Sequence, residues 1–98
     1  MDDHQVLYDN GGLFIFAHFI DNNRLDIEYD DLKFAGDYEH HLTLTVEATK
    51  ELCKIYGCDM AHLLEKVKEN FKCDGRTGPF QDFCDQHELK YETFTWIS

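Results

Sequence analysis

The chain has 98 residues, 43% of them hydrophobic and 14% aromatic, with one proline and six glycines, a balance that supports a packed core and argues against disorder. Twenty acidic residues against nine basic ones give a formal charge of −11, which repels nucleic acid and anionic membranes and attracts basic partners. The start shows no basic stretch leading into an apolar one, and the run Leu13–Ile20 holds His18 and is too short to span a bilayer, so a cytoplasmic location is expected.

Gln5–Tyr8 reads as a short strand, closed by the turn signal Asp9-Asn10-Gly11-Gly12. Leu13–Ile20 is apolar on both parities, the pattern of a strand covered on both faces. A turn at Asp21-Asn22-Asn23 leads into a strand from Arg24 to about Phe34, which begins RLDIEYDD. There Leu25, Ile27 and Tyr29 alternate with Asp26, Glu28 and Asp30, and a period of two sends the two sets to opposite faces. Ala35-Gly36-Asp37 breaks the pattern. Glu39–Thr45 follows as a strand with Leu42 and Leu44 on one side and Thr43 and Thr45 on the other.

At Thr45 the period changes. Thr45 suits an N-cap, Glu47 favours the first helical turn, and Ala48, Leu52, Ile55 and Tyr56 follow helical spacing up to a stop at Gly57. Asp59 caps a second predicted helix whose stripe is Met60, Leu63, Leu64, Val67 and Phe71. After a loop from Cys73 to Gly78, Pro79 opens a short third helix with Phe80, Phe83, Cys84 and His87 on its inner face. Lys90–Ile97 returns to alternation, with Tyr91, Thr93, Thr95 and Ile97 opposite Phe94 and Trp96. The order β-β-β-β-α-α-α-β predicts one α+β domain over residues 1–98, an antiparallel sheet of four to five strands with helices packed on one face. The last strand is expected to return to the sheet laid down first. Its edge is where a homodimer would form.

Charge is concentrated at the front. Residues 1–47 hold 11 acids and 2 bases, whereas residues 48–98 hold 9 acids and 7 bases. An ordinary solvent face mixes signs, because like charges repel across strands. Here only Arg24 and Lys33 bracket the carboxylates, and alternate strand residues lie about 6.8 Å apart, a spacing comparable with that of phosphates along a nucleic-acid strand. Asp26, Glu28, Asp30 and Asp31, widened by Asp37 and Glu39, are therefore the expected partner-binding residues. The expectation is a non-enzymatic acidic protein that docks on a basic protein surface. Its most concrete form is a nucleic-acid mimic that inhibits a nuclease or other DNA- or RNA-handling protein, by analogy of size and charge with phage anti-CRISPR and anti-restriction factors.

The other chemistry-bearing residues point less far. Cys53, Cys58, Cys73 and Cys84 have neither zinc-finger nor ribbon spacing, and a site drawn from Cys58, His62, Cys84 and His87 is the nearest approach to a metal-binding or thiol-redox protein. Cys53 and Cys84 fall on apolar stripes, as small buried hydrophobes do. His18 is expected to be a hydrogen-bonded core or sheet-face residue, and His40 and His41 to be exposed. An open sheet face is expected to leave carboxyl pKa values unshifted, which argues against acid–base catalysis. Asp74-Gly75-Arg76-Thr77-Gly78 lacks the ending of a phosphate loop. No cofactor motif is present. A structural, self-associating module is the remaining alternative.

Overall fold

The structure is a computed structural model that describes residues 4–21, 23–31, 38–70 and 78–97. Strands β1 (His4–Asn10), β2 (Leu13–Ile20), β3 (Arg24–Asp31), β4 (Tyr38–Leu44) and β5 (Tyr91–Ile97) form one antiparallel sheet. Between β4 and β5 come three helices, α1 (Val46–Tyr56), α2 (Met60–Asn70) and α3 (Gly78–Gln86). The order in the sheet is β1-β2-β3-β4-β5, so the α+β architecture is as expected, and β5 extends the meander by pairing with β4. The segment 32–37, with Asp37, and the segment 71–77, with Phe71 and Cys73, lie outside the described residues.

Local chemistry explains the boundaries. Gly11 and Gly12 have φ of 60° and 91°, as a two-residue hairpin turn between Asn10 and Leu13 requires. Thr45 Oγ1 accepts the Ala48 N–H at 3.1 Å and so caps α1. At the other end Gly57 is left-handed, and the N–H groups of Gly57 and Cys58 close back on Lys54 and Cys53. Asp59 Oδ1 accepts the His62 N–H at 3.1 Å and caps α2. After α3 the left-handed position is filled by Glu88, and the next residue, Leu89, is buried in the core. His87 lies beyond the helix end and is exposed, with its ring against Phe83, so it is not on the inner face that helical spacing predicts.

The core lies between the helices and one face of the sheet. Ile15, Ala17, Leu25, Ile27, Leu42 and Leu44 point from the strands toward Leu52, Leu63, Val67, Phe80 and Cys84. A β-bulge between Val6 and Tyr8 lets both Leu7 and Tyr8 pack against this cluster, while His4 and Val6 keep the parity of the other face. That other face has no helix among the described residues. The second parity of β2, including Phe14, Phe16 and His18, is half-buried and belongs to an open face; coverage on both sides, as its apolar run suggests, is not what the helices provide.

One side chain couples the layers. Thr49, on α1 and fully buried, accepts the Leu25 N–H of β3 at 3.1 Å and donates to the Thr45 carbonyl at 2.8 Å. Leu25 lies one residue before the β3–β4 pairing begins at Asp26, so the hydroxyl takes the place of a sheet partner. Thr49→Val keeps the shape and strands that amide. It is expected to lower stability by about 1–3 kcal/mol, read from urea unfolding, and an unchanged midpoint would mean the amide finds another acceptor.

Candidate functional site

The open face is assembled by register. The directly opposed residues His18, Asp26, Thr43 and Glu92 form one row across β2, β3, β4 and β5. The next row is Phe16, Glu28, His41 and Phe94, and the one after begins Phe14, Asp30 and Glu39. Asp26, Glu28, Asp30 and Glu39, all expected at the site, thus share one face. Asp31 opposes Leu13 and has the parity of Leu25 and Ile27, so it is turned to the other side.

The row does not present three equivalent charges. Asp26 has a side chain only 2% exposed, enclosed by hydrogen-bond donors. His18 Nε2–H and His41 Nδ1–H donate to its Oδ2, each at 2.7 Å, and the Thr43 hydroxyl donates to Oδ1 at 2.6 Å. Asp26 therefore offers no free charge to a partner, because its neighbours on both flanking strands have consumed its acceptors. Burial alone would raise its pKa, but the bonds from His18, Thr43 and His41 outweigh burial and hold it below the ordinary value.

His41 is the hinge of the cluster. It is not exposed as its position near a strand start suggests: its side chain is 19% exposed, and its second nitrogen, Nε2, donates to Glu39 Oε1 at 2.6 Å. With a carboxylate at each ring nitrogen, the doubly protonated cation is the best-satisfied form. Burial opposes that charge, yet the bonds to Asp26 and Glu39 raise the pKa above its ordinary value. Its neighbour His40 has the opposite parity, meets Thr95 Oγ1 at 2.9 Å, and is lowered by burial and by the charge of His41.

Glu28 sits between the two halves of the cluster. Its Oε1 is 3.5 Å from His18 Nε2 and 3.7 Å from His41 Nδ1, and its own side chain is 15% exposed. Burial first, then the hydrogen bond and charge of Asp30, push it up to about 7. An open sheet face was not expected to shift a carboxyl; here burial is the largest cause, and the charges of Asp30 and Glu39 add to it. The carboxylate oxygens of Glu28, Asp30 and Glu39 lie within 4.8 Å of one another. Among the described residues, no lysine or arginine pairs with any of these three.

The cysteine-based alternative is not assembled in the same way. Among the described residues, no group of three ligating atoms within 4.8 Å includes a cysteine. His62 Nδ1 bonds Asp59 Oδ1 at 2.6 Å on the surface, away from the buried Cys84. Burial pushes the Cys53 thiol up to about 11 and the Cys84 thiol up to about 12, so both stay protonated at neutral pH.

His18 and His41 are the site residues that sequence reasoning missed. One signal was present: a short connection between Ile20 and Arg24, which pair directly, places residue 18 opposite residue 26. The chain matches no known protein family, no curated protein and no solved structure. What defines it is therefore its own geometry, an α+β fold with one sheet face covered by helices and the other carrying an imidazole–carboxylate cluster.

Proposed function

We propose that this is a non-enzymatic binding protein that docks its open sheet face on a basic protein surface, most concretely as an inhibitor occupying the nucleic-acid cleft of a nuclease or other DNA- or RNA-handling protein. The observation that carries the reading is the packing of Glu28, Asp30 and Glu39 within 4.8 Å on the open face, where His41 bonds Glu39 but no lysine or arginine pairs with any of the three among the described residues, so their negative charge is only partly offset. Crowded like charges cost stability, and an incoming cationic surface relieves that cost. The anionic row runs across β3 and β4, with Asp26 serving as an internal anchor. Aromatic side chains flank it: Phe14 and Phe16 on β2, and Phe94 on β5, which is 54% exposed. Aromatic residues, phenylalanine included, are enriched in the cores of protein interfaces. No helix among the described residues is long and apolar enough to cross a membrane.

The test is affinity capture from the native host at low salt, followed by measurement of Kd for the recovered basic protein. Affinity is expected to fall steeply with salt. The double variant Asp30→Lys, Glu39→Lys is expected to weaken it roughly 100-fold at unchanged fold, at about 1–2 kcal/mol per reversed charge. The pair Glu47→Lys, Glu51→Lys on α1 should have little effect. Recovery of no basic protein, or equal loss from both double variants, would sink the reading.

A further inference from the structure

We propose that His18, Asp26, Glu28 and His41 form a binding site for one divalent transition-metal ion of the zinc class. The four donors come from β2, β3 and β4, and their ligating atoms all lie within 4.8 Å of one another. Two imidazole nitrogens with two carboxylate oxygens suit zinc or cobalt(II). They do not suit calcium or magnesium, which take oxygen ligands. The two carboxylates also balance the ion's double charge.

The distances are close to what such an ion needs. Bonds of about 2.0–2.1 Å in a tetrahedron place ligand atoms about 3.3–3.4 Å apart. Glu28 Oε1 already stands 3.5 Å from His18 Nε2 and 3.7 Å from His41 Nδ1. Asp26 Oδ2 is nearer, at 2.7 Å from each ring nitrogen, because N–H bonds now bridge those gaps. The ion would take the place of those two protons: the doubly protonated His41 releases its Nδ1 proton to solvent and keeps the one on Nε2, His18 binds as the neutral tautomer with its proton on Nδ1, and the rings would move outward by roughly 0.6 Å to reach the tetrahedral spacing. His18 and His41 have side chains 24% and 19% exposed, so both the movement and the route of entry lie on the open face.

Two further contacts distinguish this from a chance meeting of polar groups. Ligating histidines usually donate their other ring N–H to a carboxylate or carbonyl, and ligating carboxylates are themselves hydrogen-bonded. His41 already does so through Nε2 to Glu39 at 2.6 Å, leaving Nδ1 turned toward the site. Asp26 already receives the Thr43 hydroxyl on Oδ1, leaving Oδ2 for the ion. The backbones that carry the donors are opposed residues of a continuous sheet, His18 with Asp26 and Glu28 with His41, which fixes their spacing. The inference goes beyond docking, because an ion can be bound whether or not a basic partner exists.

The test is titration of the chelator-stripped protein with zinc chloride by calorimetry and with cobalt(II) chloride by visible absorption. One ion per chain is expected, with the strong d–d bands of tetrahedral cobalt. Glu28→Gln preserves shape, and this variant and His18→Ala are each expected to weaken binding at least tenfold, while His62→Ala leaves it unchanged. Circular dichroism of each variant checks folding, and native mass spectrometry of the unaltered protein gives the stoichiometry independently. Absence of one-to-one binding, equal binding by Glu28→Gln and the unaltered protein, or a thiolate-to-cobalt charge-transfer band pointing to the cysteines, would overturn the site.

Discussion

Replacing Asp26 with alanine is expected to lower the unfolding free energy by about 3 kcal/mol, the largest cost of any single change on the open face. The side chain is almost fully buried and accepts three hydrogen bonds, so its loss leaves the Thr43 hydroxyl and two imidazole N–H groups without their acceptor. The histidines are partly exposed and can turn to water, which keeps the cost from being larger. Asp26→Asn should cost less, because it keeps the volume and one acceptor oxygen. In a chain of this size 3 kcal/mol corresponds to a melting temperature lower by roughly 12–24 °C. Urea and thermal unfolding in chelating buffer give the number. A loss under about 1 kcal/mol would show that water, not the three donors, satisfies this carboxylate.

The second large effect is a stability maximum on the acid side of neutrality. Asp26 is held below its ordinary pKa of 3.8, so its contribution is present above that value and is lost as pH falls through the folded one. Glu28 behaves in the opposite sense. Its folded pKa of about 7 lies above the ordinary 4.5, so between these values the folded chain keeps a proton that the unfolded chain has released, and stability drops as pH rises. His41, raised above 6.5, stabilises fully below that pH and loses its contribution as pH climbs through the folded value. His40 is lowered and offsets part of this near pH 6. Melting temperature in chelating buffer is therefore expected to be highest at about pH 4 to 5, to decline from there to about pH 7 as Glu28 ionises, and to fall further as His41 loses its proton. Glu28→Gln removes the largest alkaline contribution and should flatten the decline. A profile parallel to that of the unaltered protein would show that Glu28 ionises freely.

The elements were legible where local chemistry decides them. Thr45 and Gly57 bound α1, Asp59 opens α2, and the alternation of Leu25, Ile27 and Tyr29 marks β3 and its buried face. The same alternation places Asp31 with the apolar parity, which its charge obscures. Less legible was what stands opposite each strand residue. A period of two assigns a face but not a neighbour, and the sequence between β3 and β4 carries no two-residue turn motif that would fix their register. His18 reads as a hydrogen-bonded core or sheet-face residue, and so it is, but its partner Asp26 is named only by the register of β2 on β3. His41 lies near the start of its strand and reads as exposed until β3 and β5 flank it. The acidic row looked wholly uncompensated because its partial compensation, at Asp26 and Glu39, is histidine drawn from the strands on either side.

The sheet runs in the order of the chain, and all three helices interrupt its last pairing. Leu44 and Tyr91 are opposed neighbours, yet residues 45–90 intervene. Closing so long a span costs on the order of 2–3 kcal/mol more chain entropy than a tight turn. The first three pairings join segments adjacent in the chain, whereas the β4–β5 pairing spans all three helices. The histidine–aspartate knot lies wholly within β2, β3 and β4, so none of its hydrogen bonds crosses that final seam.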